Sequence, residues 1–393
     1  MAHAIPANLL ARLRTIVPLP VQGEASQQQQ RQHAQQDQPQ HIGKHNEDGL
    51  YDPSPIDVAV VRIMLARSKR LPPDLVDAIF EMAEYWVRST TAVDFGQMPG
   101  QARYMNIRGG VQPENEFMLR SLPVGLTSEH GGDLDLTGAA ARPLALGKEM
   151  DERSFARLAD YPTPRLVSPV RKVVFKILAH DQGWGGEGGD NDYDNSWTWF
   201  EAGLERFEAP ESGEGGEPLT LQHEALRPVH PALSVRPPTD EERRKAESAD
   251  FDRFVNHVNQ SINNNSGGNA GPGADPQAST PAAQPQNNSN NARPPTMYKH
   301  NLLPNPEWVV HRNKRSNREW QQHIVTWSCD DDVKADSDGG QALADEGRGR
   351  ETGDGEFVRH LKVGDVVTLW AKARFAGWAN SVQSASIDIY WAA

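Results

Sequence analysis

Apolar positions recur along the chain at two spacings, and the spacing tells the elements apart. Ser54-Pro55-Ile56-Asp57 reads as a helix start, with an N-cap serine, proline at the first helical position and an early acid. The run that follows to Arg70 is apolar on more than one side. A second start lies at Leu71-Pro72-Pro73-Asp74, and Leu75, Val76, Ile79, Phe80, Ala83 and Trp86 then fall on one helical face. Residues 50–95 are thus expected to form a helical hairpin that needs a body to pack on.

Most of the remaining pattern has a period of two. Val173, Phe175, Ile177 and Ala179 share a face. So do Trp197 and Trp199, with Phe200 opposite, and Val325 with Trp327. Val367, Leu369, Ala371, Ala373 and Phe375 form one stripe, and Ile387, Ile389 and Trp391 another. Alternating runs broken by Gly, Pro, Asn and Asp predict a mainly β fold, an antiparallel β-sandwich of jelly-roll type. Such runs flank a long polar stretch, so the first half of the sandwich is assigned to 100–205 and the second to 298–393.

Composition explains the interruptions. Ten of the residues in 21–40 are Gln, which predicts a disordered tail over 1–48. Residues 206–297 are rich in Glu, Gly, Pro, Asn and Ser and read as a largely disordered insert. Inside it, Thr239 and Glu242 make a capping box, and Phe251, Phe254, Val255, Val258 and Ile262 recur at helical spacing. That predicts an amphipathic helix at 240–262, either docked on the body or offered to a partner.

Charge narrows the function classes. The net charge of −13 comes largely from 186–217, with ten acids and one base, and from 330–356, with ten acids and three bases. Both read as solvated loops, and no basic face points to nucleic acid. No run approaches the ~20 apolar residues of a membrane span. Leu9 and Leu10 are followed at once by Arg12 and Arg14, which is not a secretory signal. The absence of acids before Glu24 leaves a mitochondrial presequence open beside a disordered N-terminus. The single cysteine, Cys329, fits a cytoplasmic or nuclear setting.

Chemistry is sparse. Gly183-Trp184-Gly185-Gly186-Glu187-Gly188 has the glycine spacing of a dinucleotide loop, but Asp190, Asp192 and Asp194 follow where a helix N-terminus is needed. Those three acids, with Glu201 at position 12, have the spacing of a calcium loop. The entering helix is lacking, and Asn195 stands at the glycine position, so a solvated loop without tight calcium binding is expected. No nucleophile elbow or zinc-protease motif occurs, and Asp330, Asp331 and Asp332 disfavour a Cys329 thiolate. The expectation is a protein that is not an enzyme and uses no cofactor. Tryptophan is the unusual signal. Trp184 and Trp378 sit in glycine-containing turns beside His180, Asp181, Gln182 and Asn380, and these six residues are the candidate ligand site.

Several segments carry a resemblance. HDQGWGG (180–186), SWTWFEAG (196–203), LWAKARFAGWANSVQSASIDIYW (369–391) and LPPDLVDAIFEMAEYW (71–86) resemble a family of uncharacterised fungal proteins, a likeness that implies no activity. Leu71 to Phe80 is similar to the opening of an F-box, although the later part of that motif is missing after Trp86. The tryptophan-rich β region resembles galactose-binding jelly rolls. Together these imply a binding or scaffold protein whose sandwich recognises a protein or a carbohydrate. The alternatives are an F-box-like ubiquitin-ligase substrate adaptor and a carboxylate-dependent hydrolase.

Overall fold

A computed structural model describes residues 44–45, 51–98, 103–111, 113–127, 141–151, 166, 168–185, 191–209, 223–234 and 297–393. Two short strands, β1 (Lys44–His45) and β2 (Tyr51–Asp52), pair with each other. Helices α1 (Pro55–Ser68) and α2 (Pro73–Met82) follow. Ser54 starts α1 as expected: its hydroxyl accepts from the Asp57 N–H at 3.2 Å, and the Asp57 carboxylate accepts from the Ser54 N–H at 2.9 Å.

The body is an antiparallel β-sandwich. The first sheet runs β12 (Gln321–Ser328), β6 (Val170–His180), β14 (Ala379–Trp391), β3 (Val87–Asp94), with β4 (Met105–Arg108) also paired to β14. The second runs β11 (Val309–Arg312), β7 (Thr198–Phe207), β13 (Val366–Ala373), β5 (Asn115–Arg120), with β8 (Leu226–His230) also paired to β7. A further pair joins β9 (Leu233–Ser234) to β10 (Met297–Tyr298). Short helices α3 (Asp338–Asp345) and α4 (Glu356–Arg359) lie between β12 and β13. Among the described residues no helix is long and apolar enough to cross a membrane.

Period two places the core between the sheets. Val173, Phe175, Ile177, Ala179, Val325, Trp327, Ile387, Ile389 and Trp391 from one sheet meet Phe200, Ala202, Leu204, Val367, Leu369, Ala371 and Ala373 from the other in a single cluster. Burying one such large side chain contributes about 1.5–3 kcal/mol. Val58, Val76 and Phe80 of the hairpin join the same cluster, which is the body the helices needed. Each sheet takes strands from both sides of the long polar stretch.

Four expectations change. The segment read as hairpin to residue 95 turns to strand at Val87, because VRSTTAVD alternates and is rich in β-branched residues. The tail read as disordered to 48 contributes β1. The segment read as linker contributes β8, whose Leu226 and Pro228 are buried beside β7. Trp197 precedes β7 and does not enter the sandwich: half-buried, it meets Phe375 edge-on at 4.7 Å, and Phe375 itself has left β13 with φ 63°. The helix expected at 240–262 lies outside the described residues.

Candidate functional site

At one end of the first sheet, three aromatic rings stand in solvent. Trp184 is 57 % exposed, Tyr104 42 % and Trp320 40 %. They are placed by register. Ser381 lies opposite both His180 and Asn106, and Gln321 lies opposite Ala179. Asn106, Ser381 and His180 therefore form a row on the outer face, since Ile107, Val382 and Ala179 fill the core. His180 meets the Trp320 ring edge-on at 4.3 Å, and Tyr104 meets it at 5.9 Å. Arg103, Arg108 and Arg318 are exposed; Arg108 donates to Asn106 at 3.1 Å and Arg318 to the Gln182 carbonyl at 2.7 Å.

The loops beneath the rings are fixed by one carboxylate. Asp181 is fully buried and accepts from the backbone N–H groups of Gly183 (2.7 Å), Ser316 (2.7 Å) and Asn317 (2.8 Å). Burial raises its pKa, and the three N–H donors pull the other way. Gln182 accepts from the Ala379 N–H at 3.1 Å and donates to the Trp184 carbonyl at 2.6 Å, tying the 181–185 turn to β14. Trp184 lies over Gly377, where a Cβ would stand 3.0 Å from the indole and φ is 97°, so only glycine suits that turn. Trp378 is half-buried beside it and accepts from the Gly109 N–H at 2.9 Å.

The structure thus brings His180, Gln182, Trp184 and Trp378 to one end of the molecule. Asp181 and Asn380 differ in role: both are fully buried and reach no ligand. Asn380 donates to the carbonyls of Trp199 and Lys372, each at 3.2 Å, and accepts from Asn313 at 2.9 Å. They hold the loops and strands in place. Trp320 and Tyr104 were missed by sequence reasoning. Trp320 precedes an alternating run, and only cross-strand register sets it beside His180.

A second polar group lies on the outer face of the second sheet, and it is roofed. Glu201 and Lys372 form an ion pair with both side chains buried, and Trp199 donates to Glu201 at 2.8 Å. Arg120 binds Glu205 through its Nε at 2.5 Å, again buried. Residues 297–308 cover this layer, with His300 and Tyr298 against Trp370 and Trp308 stacked on His230 at 3.9 Å. Burial opposes the Glu201 charge, but Lys372 and the donors around it hold the carboxyl below its usual value. Burial lowers the Lys372 ammonium, and burial also takes His230 down to about 4, against the opposing pull of the Glu201 carboxylate. His300 is lowered and Tyr298 raised, both chiefly by burial.

Of the acidic loop, Asp190 lies outside the described residues. Asp192 pairs with Lys314 at 3.1 Å, and Glu201 faces Lys372 inside the roofed layer. No group of three or more metal-ligating side chains occurs among the described residues. Burial first, then Asp330, raises the Cys329 thiol pKa. Comparison with protein-family models, curated proteins and solved structures gives no match.

Proposed function

We propose that the chain is a non-catalytic binding protein whose sandwich takes a protein or carbohydrate ligand on the Trp184–Trp320–Tyr104 surface. The observation that carries this reading is a pair of exposed indoles, Trp184 and Trp320, on loops already fixed by the buried Asp181, with Tyr104 against Trp320. Exposed indoles give up apolar burial, and rings held on a rigid platform recover it when a ligand covers them. The hydrolase alternative has no support from the roofed layer, where the carboxylates are paired with Lys372 and Arg120. Screening the protein against arrayed glycans and displayed peptides tests the reading. A ligand lost on Trp184→Ala and on Tyr104→Ala, with melting unchanged, supports it; ligand binding indifferent to both variants refutes it.

A second reading is favoured by the hairpin. Ile56, Val60, Ile63 and Met64 on α1 are exposed on the side opposite the buried Val58. Leu75, Ile79 and Met82 on α2 are exposed beside the buried Val76 and Phe80, so only part of the apolar face expected of α2 meets the body. Leu75 and Ile79 belong to the F-box-like stretch. Such an outward apolar face suits docking of another protein, so an adaptor that grips a ligase subunit with the hairpin and a substrate with the sandwich is the alternative. Co-purification with a ligase subunit, abolished by Leu75→Glu and Ile79→Glu, is the expected result. A cytoplasmic or nuclear setting accompanies either reading.

A further inference from the structure

Strand β12 is an edge strand of the first sheet, and hydrogen bonding shows which of its backbone groups face outward. The Cys329 N–H donates to the Arg171 carbonyl at 2.9 Å, in line with the β6 ladder. The odd-numbered residues therefore bond to β6, and the even-numbered ones turn their N–H and C=O groups to the free side. Two outward groups are closed from within the chain. The Ser328 N–H donates to Asp331 at 2.8 Å, and the Thr326 carbonyl accepts from Arg348 at 3.2 Å. Among the described residues nothing closes those of Gln322 and Ile324.

Native sheets blunt such edges with charge, proline, bulges or a covering segment. The edge of β11 is covered: Arg312 donates to the Gly347 carbonyl at 2.8 Å, and Gly349 donates to the Val309 carbonyl at 3.0 Å. The sequence of β12, Gln-Gln-His-Ile-Val-Thr-Trp-Ser, holds no Lys, Arg, Asp, Glu or Pro, and its register with β6 runs without a shift. Ile324 is 60 % exposed beside these open groups, and Trp320 stands at the head of the strand.

We infer that β12 is a docking edge for an extended peptide, which adds a strand beside Gln322–Thr326 and lays alternate apolar side chains on Ile324 and Trp320. Open N–H and C=O groups are answered by another backbone, so the occupant is a strand and not a sugar. A second copy fits less well. Two-fold pairing of β12 with itself would set the end closed by Arg348 and Asp331 against the open head of the other copy. This inference rests on the reading of the sandwich as a binding module and names its ligand class.

The test is selection of displayed random peptides of about nine residues on the full chain. The expected peptides alternate apolar residues. N-methylation at every second residue, which removes N–H donors and keeps side chains, weakens them about tenfold or more. So does Ile324→Lys, which places a charge on the edge, and Ile324→Pro, which removes only an outward N–H. Both variants melt as the parent does. Failure to select peptides, or peptides indifferent to N-methylation and to Ile324→Lys, overturns the inference. So does a dimer that Ile324→Lys turns into a monomer. Ligands lost on Trp184→Ala yet retained by Ile324→Lys would leave the exposed rings as the binding surface and remove the edge. Ligands indifferent to both would remove the two together.

Discussion

The outer faces of the two sheets read alike in sequence and end in opposite surroundings. On β7 and β13 the outward positions include Trp199, Glu201, Glu205, Thr368, Trp370 and Lys372, and all six are buried under residues 297–308 and the segment around β8. On β6 and β12 the outward positions include His180, Gln322 and Ile324, at the end where Trp320 and Tyr104 stand in solvent. Polar alternation marks the side away from the core; it does not say whether water or another segment lies there. Charges under a roof are placed to satisfy one another, whereas rings in the open are available to something else.

The largest expected effect breaks the roofed side. Lys372→Met leaves Glu201 buried without its cation and should cost about 3–5 kcal/mol in urea melts. Adding Glu201→Gln should restore a large part of that. A Lys372→Met protein as stable as the parent would mean that water reaches the layer. Trp391→Ala, fully buried between the sheets, should cost a comparable ~3–5 kcal/mol by the same measurement.

Acid sharpens the comparison. His230 is held at about 4, His311 at about 3 and His323 at about 4, each chiefly by burial. The folded chain keeps them neutral while the unfolded chain takes up protons below about 6.5. Stability is therefore full above that pH and falls as pH drops from about 6.5 toward 4, by about 1.4 kcal/mol per pH unit for each histidine. Urea midpoints measured across this range should fall less steeply for His323→Asn, and an unchanged slope would show that the site is wet. The smallest effect belongs to the open side: Trp184→Ala should stay within about 0.5 kcal/mol of the parent. Trp378→Ala, half-buried in the adjoining turn, should fall between Trp184→Ala and Trp391→Ala.

Strands with clean alternation and a buried face were legible, β6 and the end of β14 above all, because hydrophobic period and burial coincide there. The α1 start was legible because Ser54 and Asp57 satisfy backbone groups locally. β8 was not, since its LRPVH is short, contains proline and becomes a strand only through pairing with β7. Trp197 and Trp199 looked equivalent at period two, yet the strand begins between them at Thr198. At the site, the turns bearing Trp184 and Trp378 were legible from their glycines. Asp181 and Asn380 are polar residues beside tryptophan, and nothing local shows that their oxygens face inward. Trp320 and Tyr104 meet through pairings between distant parts of the chain, which one sequence does not display.

The order of strands in the first sheet has a consequence for synthesis. β14 is made after all the others, yet it lies in the interior and pairs with β6, β3 and β4. While the ribosome is still translating the residues before 379, β3 and β4 have no partner in this sheet and β6 has only β12, so the two flanks have nothing to close upon. With domains folding as units during synthesis, a nascent chain stalled short of Ala379 should be a client for chaperones. Release of residues 379–391 is the event that lets the first sheet zip.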